Sequence, residues 1–92
     1  MDKYKIWFIS LKISDSSIKR CREKFPVKRI GKIIKAVLML FELVPVEEII
    51  SECIYNCYNT MLYNVLLYLI RENCNDEKII NALSKFEYKE VI

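Results

Sequence analysis

"KIWFISLKISDSSIKRCREKFPVKRIGKIIKAVLMLF", residues 5–41, decides how the chain is read. Residues 4–13 (YKIWFISLKI), which overlap its start, are β-branched and aromatic without a helix breaker. Trp7, Ile9, Leu11 and Ile13 alternate onto one face, and Ile6, Phe8, Ser10 and Lys12 onto the other, so the spacing predicts a strand. No second strand is evident in the chain. A lone strand leaves backbone donors and acceptors unpaired, so its expected partner is the same strand of a second copy. Ser14-Asp15-Ser16-Ser17 is a helix start, with Ser14 or Asp15 able to accept from the first free amides. A helix is expected from there to about Lys24, with Ile18, Cys21 and Phe25 facing in and Pro26 marking the turn. A second is expected over about 27–44. Ile30, Ile33, Ile34, Val37, Phe41 and Val44 form its apolar stripe, and Lys28, Lys32 and Lys35 lie opposite.

Working outward, Pro45 fits the first position of a further helix, with Glu47 and Glu48 at its positive end. The apolar periodicity of Ile50, Ile54, Cys57, Met61, Val65 and Tyr68, widened by Leu62, Leu66 and Leu69, carries this helix to about Asn73. At 1.5 Å per residue it would be about 42 Å long, which suggests a helix that crosses a dimer. Asn75 is the expected cap of a short last helix with Ile79, Ile80, Leu83 and Phe86 as its apolar face.

Ninety-two residues make one domain, or one with a short extension, and such a chain is marginal alone. It is 53% hydrophobic, and dimerisation is a simple way to bury that surface. One Gly and two Pro favour long elements over a β-sandwich. Residues 1–35 hold eleven Lys/Arg against three acids, a net of +8, while residues 36–92 hold four against nine, a net of −5. The basic front suits a polyanion, although a solvated lysine-rich face has the same composition. Neither a signal peptide nor an uninterrupted apolar run of membrane-spanning length is evident, so an intracellular, cytoplasmic protein without a membrane partner is expected. The Ile/Lys-rich, glycine-poor composition is compatible with an archaeal or viral source.

Catalysis has little to work with. There is no His, and Gly31 is alone, so the usual neutral-pH base and a phosphate loop are both missing. No enzyme activity and no cofactor are expected. Cys53 and Cys57 share a helix face and, with Cys21 and Cys74, could in principle hold zinc. Their spacing is not that of a zinc ribbon, so they read first as packing thiols, then as a disulfide, and last as metal ligands. Tyr55, Tyr58, Tyr63 and Tyr68 scatter around the third helix as core and rim.

The order strand, helix of about ten residues, tight turn and longer helix in "FISLKISDSSIKRCREKFPVKRIGKIIKAVLMLF" resembles the ribbon-helix-helix family of DNA-binding proteins over about residues 5–44. The resemblance implies a mainly α fold with one short N-terminal β-strand, the strands of two subunits pairing into an intertwined homodimer. A long helix and a short terminal helix would extend it. Residues 1–44 would be the DNA-binding region and residues 45–92 the helical extension. Ile9, Leu11 and Ile13 match the family's inward strand positions, and Phe8, Ser10 and Lys12 the positions that read bases in the major groove. Lys28, Arg29 and Lys32 surround the start of the second helix, where a DNA phosphate would sit. Pro26 stands where the family usually has a turn glycine, and Lys28-Arg29 where it often has Ser or Thr. The expected function is a homodimeric, sequence-specific regulator on double-stranded DNA, with a protein partner for the acidic C-terminal half as an addition. The alternative is an all-helical protein-interaction module, such as a viral or plasmid accessory protein or an antitoxin-like binder.

Overall fold

A computed structural model describes residues 11–90, and over that range every regular element is helical. Helix α1 spans Asp15–Lys24, α2 Ile30–Leu43, α3 Val46–Glu48, α4 Thr60–Asn73 and α5 Glu77–Leu83. A π-helical stretch, Ile49–Ile54, continues directly from α3.

The expected β-strand over residues 4–13, and with it the intertwined ribbon-helix-helix dimer, is corrected by this architecture. No β-strand exists among the described residues; Leu11–Ile13 are irregular, and the remainder of the expected strand lies outside them. The cause is visible in the packing. Leu11 and Ile13 are half-buried against the chain's own helical core, and the Ser14 amide donates to Asn73 Oδ1 on α4 at 3.0 Å. An extended segment laid across a helical core shows the same two-residue alternation as a strand.

The helix starts and stops follow local chemistry. Ser14 caps α1, its Oγ accepting from the Ser17 amide at 3.2 Å. Pro26 forces Phe25 out of helical geometry (φ −121°, ψ 75°) and ends α1. The second helix begins at Ile30, the first residue of its apolar stripe and later than the expected start at about 27, because Val27–Arg29 form a turn closed by the Ile30 amide on the Val27 carbonyl at 3.1 Å. Val44 is extended before Pro45, which ends α2.

The single long helix expected from Pro45 to about Asn73 is two pieces. After the wide turns of Ile49–Ile54 the chain breaks, and the two asparagines flanking the break stabilise it. Asn56 Nδ2 donates to the Glu52 carbonyl at 3.0 Å, and Asn59 Oδ1 accepts from the Leu62 amide at 2.9 Å, making a fresh N-cap for α4. The last helix is capped by Asp76, not Asn75: its Oδ1 accepts from the Lys78 amide at 2.8 Å.

Helix α4 is the axis of the molecule. Tyr63, Asn64, Val65, Leu66, Leu67, Leu69 and Ile70 are all buried, so the helix is covered on every side. Helices α1 and α2 both pack chiefly on it, not on each other, and α5 and the π-helical stretch complete the sheath. Cys21 and Phe25 enter from α1, Ile34, Val37 and Phe41 from α2, Ile49, Ile50 and Ile54 from the middle, and Ile79 and Leu83 from α5. A single core therefore crosses the division at residues 44 and 45.

The C-terminal segment is strapped back onto this core. Buried Asn64 donates from Nδ2 to the Lys89 carbonyl at 2.7 Å and accepts the Lys89 amide on Oδ1 at 2.8 Å. Arg71 donates to the Leu83 carbonyl at 3.1 Å and to the Phe86 carbonyl, and its guanidinium lies 5.1 Å from the Tyr88 ring centre. An amide buried in an apolar helix is costly unless paired, so Asn64 and the strap depend on each other. Asn64→Ala should lower stability to urea by about 1–2 kcal/mol and expose residues 84–90 to limited proteolysis. Leu66→Ala should cost about 2–5 kcal/mol. Unchanged cleavage of the tail in Asn64→Ala would show that the strap is held by other contacts.

Candidate nucleic-acid interface

Every Lys and Arg from Lys12 to Lys35 is exposed, nine in all, against only Asp15 and Glu23 over the same stretch. Two of the nine are occupied internally. Arg20 is paired with Glu72 of α4, Nη2 to Oε1 at 2.8 Å and Nε to Oε1 at 2.9 Å. Ser17 Oγ donates to the same oxygen at 3.2 Å and accepts from Asn73 Nδ2 at 2.9 Å, so one polar cluster pins α1 to the end of α4. Lys24 Nζ lies among Phe25, Tyr68 and Tyr88, at 5.8, 5.9 and 5.1 Å from their ring centres.

The other cations of α1, the turn and α2, namely Lys19, Arg22, Lys28, Arg29, Lys32 and Lys35, have no carboxylate within ion-pairing distance among the described residues. Lys19 lies on the side of α1 away from Cys21, and Arg22 lies on its flank. Lys28 and Arg29 occupy the turn, and Lys32 and Lys35 lie on the side of α2 away from Ile34, Val37 and Phe41. The amino end of α2 has no side-chain cap and no acid in its first turn. Its amides and the positive end of its dipole therefore face this cationic surface, an arrangement that favours an anion such as phosphate. Gly31 lies in that first turn, and a β-carbon there would meet no atom within 4 Å.

The base-reading set expected from the sequence is not assembled by the described residues. Phe8 and Ser10 lie outside them. Lys12 is exposed in the irregular lead-in and lines a groove of about 490 Å³ with Leu11, Ile13, Ile18, Leu38, Phe41 and Glu42. Lys28 and Arg29 are exposed in the turn before α2, and Lys32 is exposed in its first turn. The sequence reading missed Ser17, Asn73 and Glu72, whose cluster fixes the orientation of α1. It also missed Asn64, whose polarity is hidden inside the most apolar helix. The spacing of Ser17 beside Cys21 on one helical face was the available signal for the first of these.

The titrating groups reflect these contacts. The Arg20 guanidinium holds the Glu72 carboxyl below its ordinary value, with Ser17 assisting. Burial, reinforced by the Glu72 charge, pushes the Cys21 thiol up to about 11. Burial also raises the Cys53 thiol. All four cysteines are free thiols, and no group of three or more His, Cys, Asp or Glu residues suited to a metal exists among the described residues. No helix among them is long and apolar enough to cross a membrane. No known protein family, curated protein or solved structure matches the chain.

A carboxyl whose folded value is depressed contributes stability above its unfolded value, and that contribution is lost as pH falls through the folded one. The protein should therefore lose stability below about pH 4.3, the ordinary glutamate value. In Glu72→Gln that part of the loss should vanish from the pH dependence of the urea midpoint. An identical pH profile in the variant would remove the Arg20–Glu72 pair as a stabilising contact. In the native protein Cys21 should also react with a thiol reagent more slowly than Cys53, Cys57 or Cys74, which peptide mapping after timed labelling will show.

Proposed function

We propose that the protein binds double-stranded DNA through the cationic surface formed by α1, the turn at residues 25–29 and the start of α2, acting as a DNA-associated regulator without catalysis. The observation that carries this reading is the set of exposed cations Lys19 and Arg22 on α1, Lys28 and Arg29 in the turn and Lys32 in the first turn of α2, without an ion-pair partner among the described residues, next to an amino end of α2 that has no side-chain cap. Lysine and arginine can neutralise phosphates at such a site while first-turn amides supply directed donors. Binding of this kind is dominated by the backbone and accompanied by counterion release. The reading uses residues of α1, the turn and the start of α2 and needs no ribbon in the major groove.

The described residues from position 36 to the end carry nine acids and four bases, so phosphate would approach from the α1–α2 side. Exposed Gly31, with no neighbour within 4 Å of a β-carbon, leaves the α2 amides open to close approach. Anisotropy titrations of a labelled duplex across a salt series test the assignment. Lys28→Ala with Arg29→Ala should weaken specific and unrelated duplexes alike. The salt slope should become shallower by about one unit for each phosphate that is no longer neutralised. The double variant should remain folded, since both side chains are exposed. Absence of duplex binding, or an unchanged affinity and slope, would rule out DNA as the partner of this face. An acidic protein would then be the better candidate.

A further inference from the structure

The outward side of α2 changes character along its length. Beyond Lys32 and Lys35 it turns apolar, with Ala36 exposed, Met39 55% exposed and Leu43 72% exposed. The spacing 32, 36, 39, 43 is the alternating four-and-three step of a coiled-coil seam. The buried side of the same helix is already satisfied by Ile34, Val37 and Phe41 against the core. The chain thus presents a second apolar stripe on a helix that needs only one to hold the fold.

The charges beside this stripe say what fits it. Lys35 and Glu42 are both exposed, lie seven residues apart, and fall on the same flank of the seam. Set α2 against a second α2 in parallel, and the flank carrying Lys35 and Glu42 falls on opposite sides of the seam in the two copies, so these charges do not meet. Set them antiparallel, with Ala36 packed against the partner's Met39, and Lys35 comes within about 3 Å along the axis of the partner's Glu42. The two-fold generates the second such pair. The stripe is therefore self-complementary in one direction only, as an isologous two-fold contact requires. Glu42 also sits on the rim of the 490 Å³ groove, which continues the apolar surface through Leu38 and Leu11 and widens the contact beyond one helix.

We propose that α2 is a self-association surface, on which two copies of the chain pair antiparallel through Ala36, Met39 and Leu43, with Lys35 of each copy set against Glu42 of the other. This interface replaces the strand ribbon as the route to a dimer, and it does not rest on DNA binding. Lys35 is its flanking charge. In this register Lys32 lies at the edge of the interface, level with Leu43 of the partner subunit, while Lys28 and Arg29 lie beyond it, before the amino end of the helix.

Sedimentation equilibrium of the full chain over a micromolar concentration range tests the proposal, with circular dichroism confirming that each variant is folded. The wild type should dimerise. Leu43→Glu and Met39→Glu, at positions already exposed, should each weaken the dimer by about tenfold or more. Lys35→Glu should weaken it by placing two carboxylates together, as should Glu42→Lys with two ammoniums. The double swap, Lys35→Glu with Glu42→Lys, should restore dimerisation to near the wild-type level. A folded monomer throughout, a dimer indifferent to Met39 and Leu43, or a double swap that fails to recover would each overturn the antiparallel interface.

Discussion

A helix that is apolar on every side cannot rest on a surface; it must be wrapped. Helix α4 imposes that constraint on this chain. With Val65, Leu66, Leu67, Leu69 and Ile70 fully buried, there is no polar stripe left for water. In so short a chain nearly every other element is then committed to covering it. Helices α1 and α2 lie on it, the π-helical stretch and α5 close its remaining sides, and the C-terminal strap is drawn back to pair buried Asn64. Even the irregular lead-in contributes, since Leu11 and Ile13 join the same core.

Wrapping also distributes the charge. A helix that gives its apolar side to α4 must turn the opposite side outward, and in α1 and the start of α2 that side is cationic. The Arg20–Glu72 pair and the Ser17–Asn73 bond fix how α1 sits. An exposed ion pair contributes little stability by itself, but a cluster of several directed bonds sets orientation. Stability and the proposed interface thus draw on opposite sides of the same two helices, so cations there can be replaced without touching the core.

Much of the helical framework is legible in the residues. Ser14 announces α1, Pro26 ends it, Pro45 separates α2 from α3, and the periodicity of Ile34, Val37 and Phe41 names the buried side of α2. The errors have physical causes. Leu11 and Ile13 alternate as strand residues do, yet only the tertiary structure reveals that their burial comes from helices. Across Asn56–Asn59 the 3.6-residue apolar period persists on both sides, so periodicity suggests one helix. The competing signal was Asn59, a strong cap three residues before Leu62. Burial of the middle of α4, residues 63–70, is hard to read because Tyr63 and Asn64 break its apolar pattern, and both find partners far along the chain. In the candidate interface Lys28, Arg29 and Lys32 lie within five residues of one another, so their closeness along the chain is legible. The anchoring of α1 depends on residues more than fifty positions apart and was not.

Amide hydrogen exchange, read by mass spectrometry with and without duplex DNA, tests the account most directly. In the free protein the amides of residues 63–70 should exchange most slowly, because releasing them requires the whole sheath to open. Added duplex should slow exchange further over residues 19–35 and leave α5 and the C-terminal strap unchanged. Fast exchange in α4 would contradict its place at the centre of the fold. Protection by DNA that falls elsewhere, or none at all, would contradict the assignment of the cationic surface.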